Sequence, residues 1–319
     1  MCTNDYSIML NTVVNKILSK ELIHKNILIT GDNSSGKSEL LKMFIKKSSE
    51  SSYFIDAVNR TFNEEQISYI KQEFPDKSYI NVTNRRIQED IFNLKDSFDI
   101  FKDGSEKIEA IFYIYEEKLK LLMEEFLNIN MEIREKNEIF KKNYKIYINE
   151  NCEKISSGYQ AIMRIFAEII YYTEYVDSKN TTIVIDEINE FLSAKNEAKI
   201  VPFLIDKFPG VNFIITTHSA DVISSAENFT ILLLKNNNYE CLDSNDFNTI
   251  TDVREIFESL YNPNTNEDID DVDITLRRLL SIKISDTWTE NEQIELDNLE
   301  SKTKLSNSQK LILKQIQSW

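Results

Sequence analysis

The residues able to do chemistry begin with Gly31-Asp32-Asn33-Ser34-Ser35-Gly36-Lys37-Ser38, a G-x-x-x-x-G-K-S loop. It follows the apolar run Ile27-Leu28-Ile29-Thr30 and precedes Leu40, Leu41, Phe44 and Ile45 at helical spacing. Strand, glycine loop, helix is the setting in which such a loop holds phosphate. Gly31 and Gly36 let the chain curl, so that successive backbone N–H groups, those of Asn33, Ser34 and Ser35 among them, point at phosphate oxygens. The helix that follows adds the positive end of its dipole. Lys37 is placed to reach the β- and γ-phosphates, and the Ser38 hydroxyl to sit on Mg²⁺.

A second set lies far downstream. Asp186 and Glu187 follow the buried run Ile183-Val184-Ile185. Alone, two acids after a strand are also what satisfies the dipole of a helix start. Beside a phosphate loop, Asp186 suits the Mg²⁺ shell, through water, and Glu187 suits proton abstraction from an attacking water. His218 ends another apolar strand between Thr217 and Ser219, where it could donate to a γ-phosphate. The other of the two histidines, His24, reads as a surface or capping residue. Ser156-Ser157-Gly158-Tyr159-Gln160 opens an apolar helix. Ser156 could simply be its N-cap. Serine hydroxyl, glycine and free helix N–H groups also make an anion site, which in a chain that already has one phosphate loop calls for a partner surface.

The elements that must position these residues are legible as pattern. A helix is expected over 5–20, and strands over 27–30, 53–58, 144–148, 181–185, 211–216 and 229–234. Helices are expected over 64–74, ending before Pro75, after Gln160, and over about 196–208. Residues 76–104 mix a strand at 79–82 with a helix at 85–94, and 105 to about 140 reads as helical, in one helix or two. Near-continuous apolar strands between helices indicate an α/β fold with a mainly parallel sheet covered on both faces. Every polar cluster above lies at a strand's carboxyl end or a helix start, where such sheets bind ligands. The expected division is a head over 1–250, with a compact helical insertion at about 76–142, and a helical appendage over 251–319. The appendage has helices near 251–260, 272–282, 290–300 and 306–317.

The chain has 319 residues, 41% of them apolar, enough for a sizeable core. Its formal charge of −16 argues against a broadly basic protein that coats nucleic acid. No apolar run is long enough for a membrane span, and no basic-apolar leader opens the chain. Cys2, Cys152 and Cys241 are too scattered for a metal set and read as free thiols of a reducing compartment. The cytoplasm is the expected location.

Taken together, Gly31–Ser38, Ser156–Gln160, Ile183–Glu187 and Thr217-His218-Ser219 resemble the ABC-type ATPase superfamily, in its soluble branch of SMC, RecF and OLD-type heads and their bacterial defence relatives. The matching motifs run from residue 27 to about 235. The resemblance implies a P-loop NTPase head using ATP and Mg²⁺, with Lys37, Glu187 and His218 catalytic and Ser38 and Asp186 on the metal. It implies a homodimer sandwiching two ATP molecules, in which Ser156, Ser157, Gly158 and Gln160 of one subunit meet the γ-phosphate held by Lys37 of the other. The activity implied is a slow ATP switch acting on a separate effector, such as a nuclease or toxin, in anti-phage defence. The alternative is a nucleotide-gated DNA or RNA clamp, or a repair-type ATPase, with little turnover. The sequence departs from the pattern in three places. A helix stands before the P-loop strand where the family has an antiparallel sheet. Ile188-Asn189 and Ser193-Ala194 replace the usual residues after the acidic pair. Gln88 is the candidate for the glutamine expected at the insertion boundary.

Overall fold

A computed structural model describes residues 2–31, 34–58, 60–71, 75, 77–95, 97–100, 107–138, 141–152, 154–175, 181–235, 238–246, 271–284 and 288–300, with a few positions beyond 308. Asp32, Asn33, the helix expected at 251–260 and most of that at 306–317 lie outside the described residues. The chain divides into two units, Met1–Asn245 and Asp246–Trp319.

The first unit runs α1 (Cys2–Ser19), β1 (Asn26–Gly31), α2 (Lys37–Ser48), β2 (Ser52–Ile55), α3 (Ser78–Arg86), α4 (Phe112–Leu127), β3 (Met131–Glu138), β4 (Lys141–Ile148), α5 (Ser157–Tyr175), β5 (Thr181–Ile185), α6 (Ala194–Lys207), β6 (Val211–Thr216), α7 (Ala220–Ser224), β7 (Phe229–Lys235) and β8 (Asn238–Asp243). Six strands form one sheet in the order β2-β5-β6-β1-β7-β8. All neighbours pair in parallel except β8, which runs antiparallel to β7. The second unit contains α8 (Asp271–Ile284) and α9 (Glu290–Glu300), whose Leu276, Leu279, Leu296 and Leu299 share a core with Leu313 and Ile316.

Burial follows the periodicities. Residues Met9, Leu10, Val13, Val14 and Ile17 of α1 join Leu40, Leu41, Phe44 and Ile45 of α2 over Ile27 and Ile29 of β1, Val184 and Ile214. The alternate strand residues Leu28, Ile183, Ile185 and Ile215 are fully buried as well. Each such side chain contributes about 1.5–3 kcal/mol relative to exposure. A sheet dry on both faces leaves its strand ends as the places where polar groups can act.

Four expectations in the middle of the chain are corrected. Residues 79–82 are helical: Tyr79, Val82, Thr83 and Arg86 are buried along one side of α3, a helical spacing hidden by the charge of Arg86. The helix expected at 85–94 ends at Arg86, and turns follow. Among the described residues of 64–74, only Glu64–Gln66 is helical, as a short 3-10 turn; its Glu64 carboxylate accepts the backbone N–H of Ile146 at 2.8 Å. The helical pattern stops at Asn128, left-handed at φ 56°, whose N–H caps the Glu124 carbonyl. Met131 and Ile133 then alternate with Glu132 and Arg134 as strand β3, paired with β4. Dense charge obscured this two-residue period.

One polar cluster is wholly internal. Arg86 donates to Glu168 Oε2 at 2.6 Å and Oε1 at 2.9 Å, and to the Phe54 carbonyl at 2.7 Å. Arg164 Nε donates to Glu168 Oε1 at 2.5 Å, and the Tyr53 hydroxyl to Oε2 at 2.8 Å. Burial alone would raise the Glu168 pKa, but the two guanidinium groups pull it from 4.5 down to about 2. A depressed carboxylate stabilises the fold fully above its unfolded value and loses that contribution as pH falls through the folded one. Glu168→Gln is expected to cost about 3–5 kcal/mol at neutral pH, because two arginines lose their buried counter-charge. In urea unfolding, the gap between wild type and variant should close as pH drops from about 4.5 towards 2; a gap that is small or flat with pH would contradict the assignment.

Candidate functional site

The neighbouring strands β5, β6 and β1 end side by side. Ile185 pairs with Ile215, and Ile29 with Thr216, so Gly31, Asp186 and His218 leave the sheet along one edge. The buried strands fix the exit points, and the loops beyond them carry the polar groups.

The loop after β1 is held by backbone demands. Gly31 has φ 151°, and a Cβ there would lie 2.4 Å from the Leu234 carbonyl oxygen. Gly36 has φ 100° and serves as the left-handed N-cap of α2. Between them, Ser34 is exposed with φ 66°, whereas Ser35 is buried and its Oγ finds no partner among the described residues. Lys37 is also buried, with Nζ donating to the Gly31 carbonyl at 2.9 Å. Ser38 is half-buried in the first turn of α2. A buried hydroxyl left unanswered is uncommon, and together with the glycine cradle and the lysine it suits an anion. Hydroxyl and carboxylate oxygens are the hard donors Mg²⁺ takes, and Asp186, whose two oxygens already accept hydrogen bonds, could act on the ion only through water. Among the described residues no cluster of three His, Cys, Asp or Glu side chains could hold a metal by itself.

Asp186 is completely buried. Its Oδ1 accepts from the Thr216 hydroxyl at 2.5 Å and its Oδ2 from Asn93 Nδ2 at 2.7 Å. Burial raises its pKa, and these two donors counter the rise. The Thr216 hydroxyl also accepts the Glu187 N–H at 2.7 Å. Glu187 is left-handed, φ 46°, and its Oε1 lies 3.1 Å from Nε2 of His218. The Thr217 hydroxyl donates to Asn189 Oδ1 at 2.8 Å and accepts the Ser219 N–H at 3.0 Å, which fixes the turn carrying His218.

At the start of α5, Ser156 and Ser157 are exposed, and Ser156 Oγ accepts the Tyr159 N–H at 3.3 Å. Gln160 is engaged within the chain: Nε2 donates to the Ile155 carbonyl at 2.8 Å, and Oε1 accepts the Phe62 N–H at 3.2 Å. Gly158 passes under the carbonyl of Phe191, 3.0 Å from where a Cβ would stand. Asp186, Glu187 and His218 therefore meet in one cluster, while the contacts of Ser156–Gln160 run to Phe62 and Phe191. His24 caps elsewhere, with Nε2 2.8 Å from Asp243 Oδ1. Gln88 lies in the turn after α3, yet it is Asn93 from that turn that reaches Asp186. Asn93 and Arg60, discussed below, carried no sequence signal. A cleft of about 460 Å³ opens at the amino ends of the strands, lined by Ile17, Leu22, Ile27, Phe44 and Ile214 among others; none of the site residues lines it.

No family model and no curated protein matches the sequence. Among solved structures, the chain is similar to an SMC head bound to the C-terminal winged-helix domain of ScpA, at 13% identity and a TM-score of 0.31 over 41% of this chain and 42% of that one. The chain thus spans about two-fifths of the length of that head. It is also similar to an inward-facing ABC transporter assigned to the metal-chelate type, at 15% identity and a TM-score of 0.36 over 74% and 78% of the two chains. Both likenesses are distant. Among the described residues no helix is long and apolar enough to cross a membrane.

The loop geometry makes its own prediction. In Gly36→Ala the new Cβ meets the Tyr6 hydroxyl at 1.9 Å and must also adopt φ 100°. A loss of about 1–2 kcal/mol in thermal unfolding is expected. Adding Tyr6→Ala removes the collision but not the backbone strain, so it should not restore stability; a fully stable single variant would contradict the loop geometry.

Proposed function

We propose that this chain binds ATP with Mg²⁺ at the loop Gly31–Ser38 and hydrolyses it slowly, as a switch that works through nucleotide-dependent pairing of two copies. The observation that carries this reading is the meeting of Asp186, Glu187 and His218 at the same sheet edge as a phosphate-type loop. Lys37 leaves the Gly31 carbonyl to hold the β- and γ-phosphates, and the loop N–H groups with Ser35 take the remaining oxygens. Ser38 would hold the metal directly and Asp186 through water, and the metal when bound would offset charge on the phosphates. Glu187 accepts the proton of the attacking water. His218 holds Glu187 in place and is positioned to donate to the γ-phosphate. Ser156 and Ser157, exposed at the start of α5, and the half-buried Gly158 serve the nucleotide of the partner copy. The effector, a separate nuclease or toxin in anti-phage defence, is what the family resemblance of the motifs implies, and the cytoplasmic setting rests on the scattered cysteines.

Glu187→Gln keeps the shape of the side chain and removes its basicity. Hydrolysis should fall by about 10²–10⁴ while ATP binding persists, and an ATP-dependent dimer should accumulate in light scattering. Near-normal turnover would place the base elsewhere.

A further inference from the structure

Arg60, in the loop after β2, is 2% exposed, and its guanidinium is spent on backbone. Nη1 donates to the carbonyls of Glu187 at 2.7 Å and Ile188 at 3.3 Å, and Nη2 donates to that of Asp186. Three consecutive carbonyls of one turn thus converge on one buried cation. Such burial disfavours the charge, and the nearby Asp56 and Asp186 offset part of that cost. The turn it grips contains Glu187 in a left-handed conformation at φ 46°. A non-glycine residue keeps such a conformation only where its surroundings over-determine it. Here the N–H of Glu187 is fixed by Thr216, and its C=O by Arg60 at 2.7 Å together with the Glu190 N–H of the same turn at 3.0 Å. Arg60 is itself moored to α5: the Thr61 carbonyl accepts from Arg164 Nη1 at 3.4 Å, and the Phe62 N–H donates to Gln160.

We infer that Arg60 is a positioning residue, holding the Glu187 backbone left-handed so that its carboxylate stays against His218 and aimed for proton abstraction. This rests on the reading of Glu187 as general base. Arg60 reaches the reaction through backbone carbonyls alone. Methionine in its place keeps much of the volume and removes every donor. Lysine keeps the charge but lacks the planar fork that reaches three carbonyls together.

The chain has two histidines, so ¹³C-histidine labelling yields two ring signals. His24, held at Asp243, reports folding, and His218 reports the pair with Glu187. In unliganded Arg60→Met, the His218 signal should move most of the way to its position in Glu187→Gln, with His24 unmoved. The variant should lose about 10²-fold in kcat, the scale of a misplaced catalytic group, while its ATP Kd stays within about threefold of wild type. Arg60→Lys should fall between the two, and it decides alone if the His24 signal shows that Arg60→Met does not fold. A His218 signal at the wild-type position in a folded variant, or a shifted signal with unchanged kcat, overturns the inference. Lys37→Ala separates this from failure of the functional reading: if that variant hydrolyses ATP as wild type does, the turnover belongs to another site, and the histidine signals alone decide what Arg60 holds.

Discussion

A carboxylate buried at the end of a central strand destabilises the fold unless its oxygens are answered, and much of the site follows from how Asp186 is answered. Thr216, one strand over, gives its hydroxyl proton to Asp186 and its lone pair to the N–H of Glu187. That one side chain ties the ends of β5 and β6 and sets the direction in which the chain leaves β5. Asn93 closes the other oxygen and brings the turn after α3 to the same point. Arg60 fixes the carbonyls on the far side. The acidic pair is therefore a backbone knot before it is a pair of side chains, and a knot of this kind suits a catalytic base, because it leaves little to reorganise.

The second constraint is the internal cluster of Arg86, Glu168 and Arg164. It joins α3 to α5 beneath the segment 60–62, whose contacts reach both the acidic pair and Gln160 at the start of α5. The acidic pair and the start of α5, which the proposed function gives to different nucleotides, are thus connected within one chain by polar contacts.

Strands β1, β2, β5, β6 and β7 and the two glycines of the loop were legible because each is a local matter: unbroken apolar runs, and a spacing that only a curled backbone requires. The positions of Asp186, Glu187 and His218 beyond strand ends were legible for the same reason, since strand ends are marked by the switch from apolar to polar. The middle of the chain was not. In α3 the helical face includes Arg86, which counts as polar in sequence and is buried only because Glu168 and Asp56 arrive from elsewhere. Strand β4 was legible over 144–148, but its partner β3 was not, because Glu132, Arg134 and Glu135 around Met131 and Ile133 hide the two-residue period. β8 carries exposed and half-buried side chains and owes its existence to pairing with β7. Arg60 and Asn93 act on backbone and carboxylate groups brought near by the fold, which no local pattern announces.

The central claim is that one chain holds only half of what hydrolysis needs: the loop and base on one side, and the exposed start of α5 for the nucleotide of another copy. The most direct measurement is specific ATPase activity of the unmutated protein against subunit concentration, at saturating ATP and Mg²⁺. The account predicts a rise followed by a plateau, tracking the ATP-dependent dimer seen by light scattering in the same samples. Specific activity that stays constant far below the concentration at which dimers vanish would contradict it, leaving a monomeric phosphate-loop enzyme in which Ser156 is no more than the cap of α5.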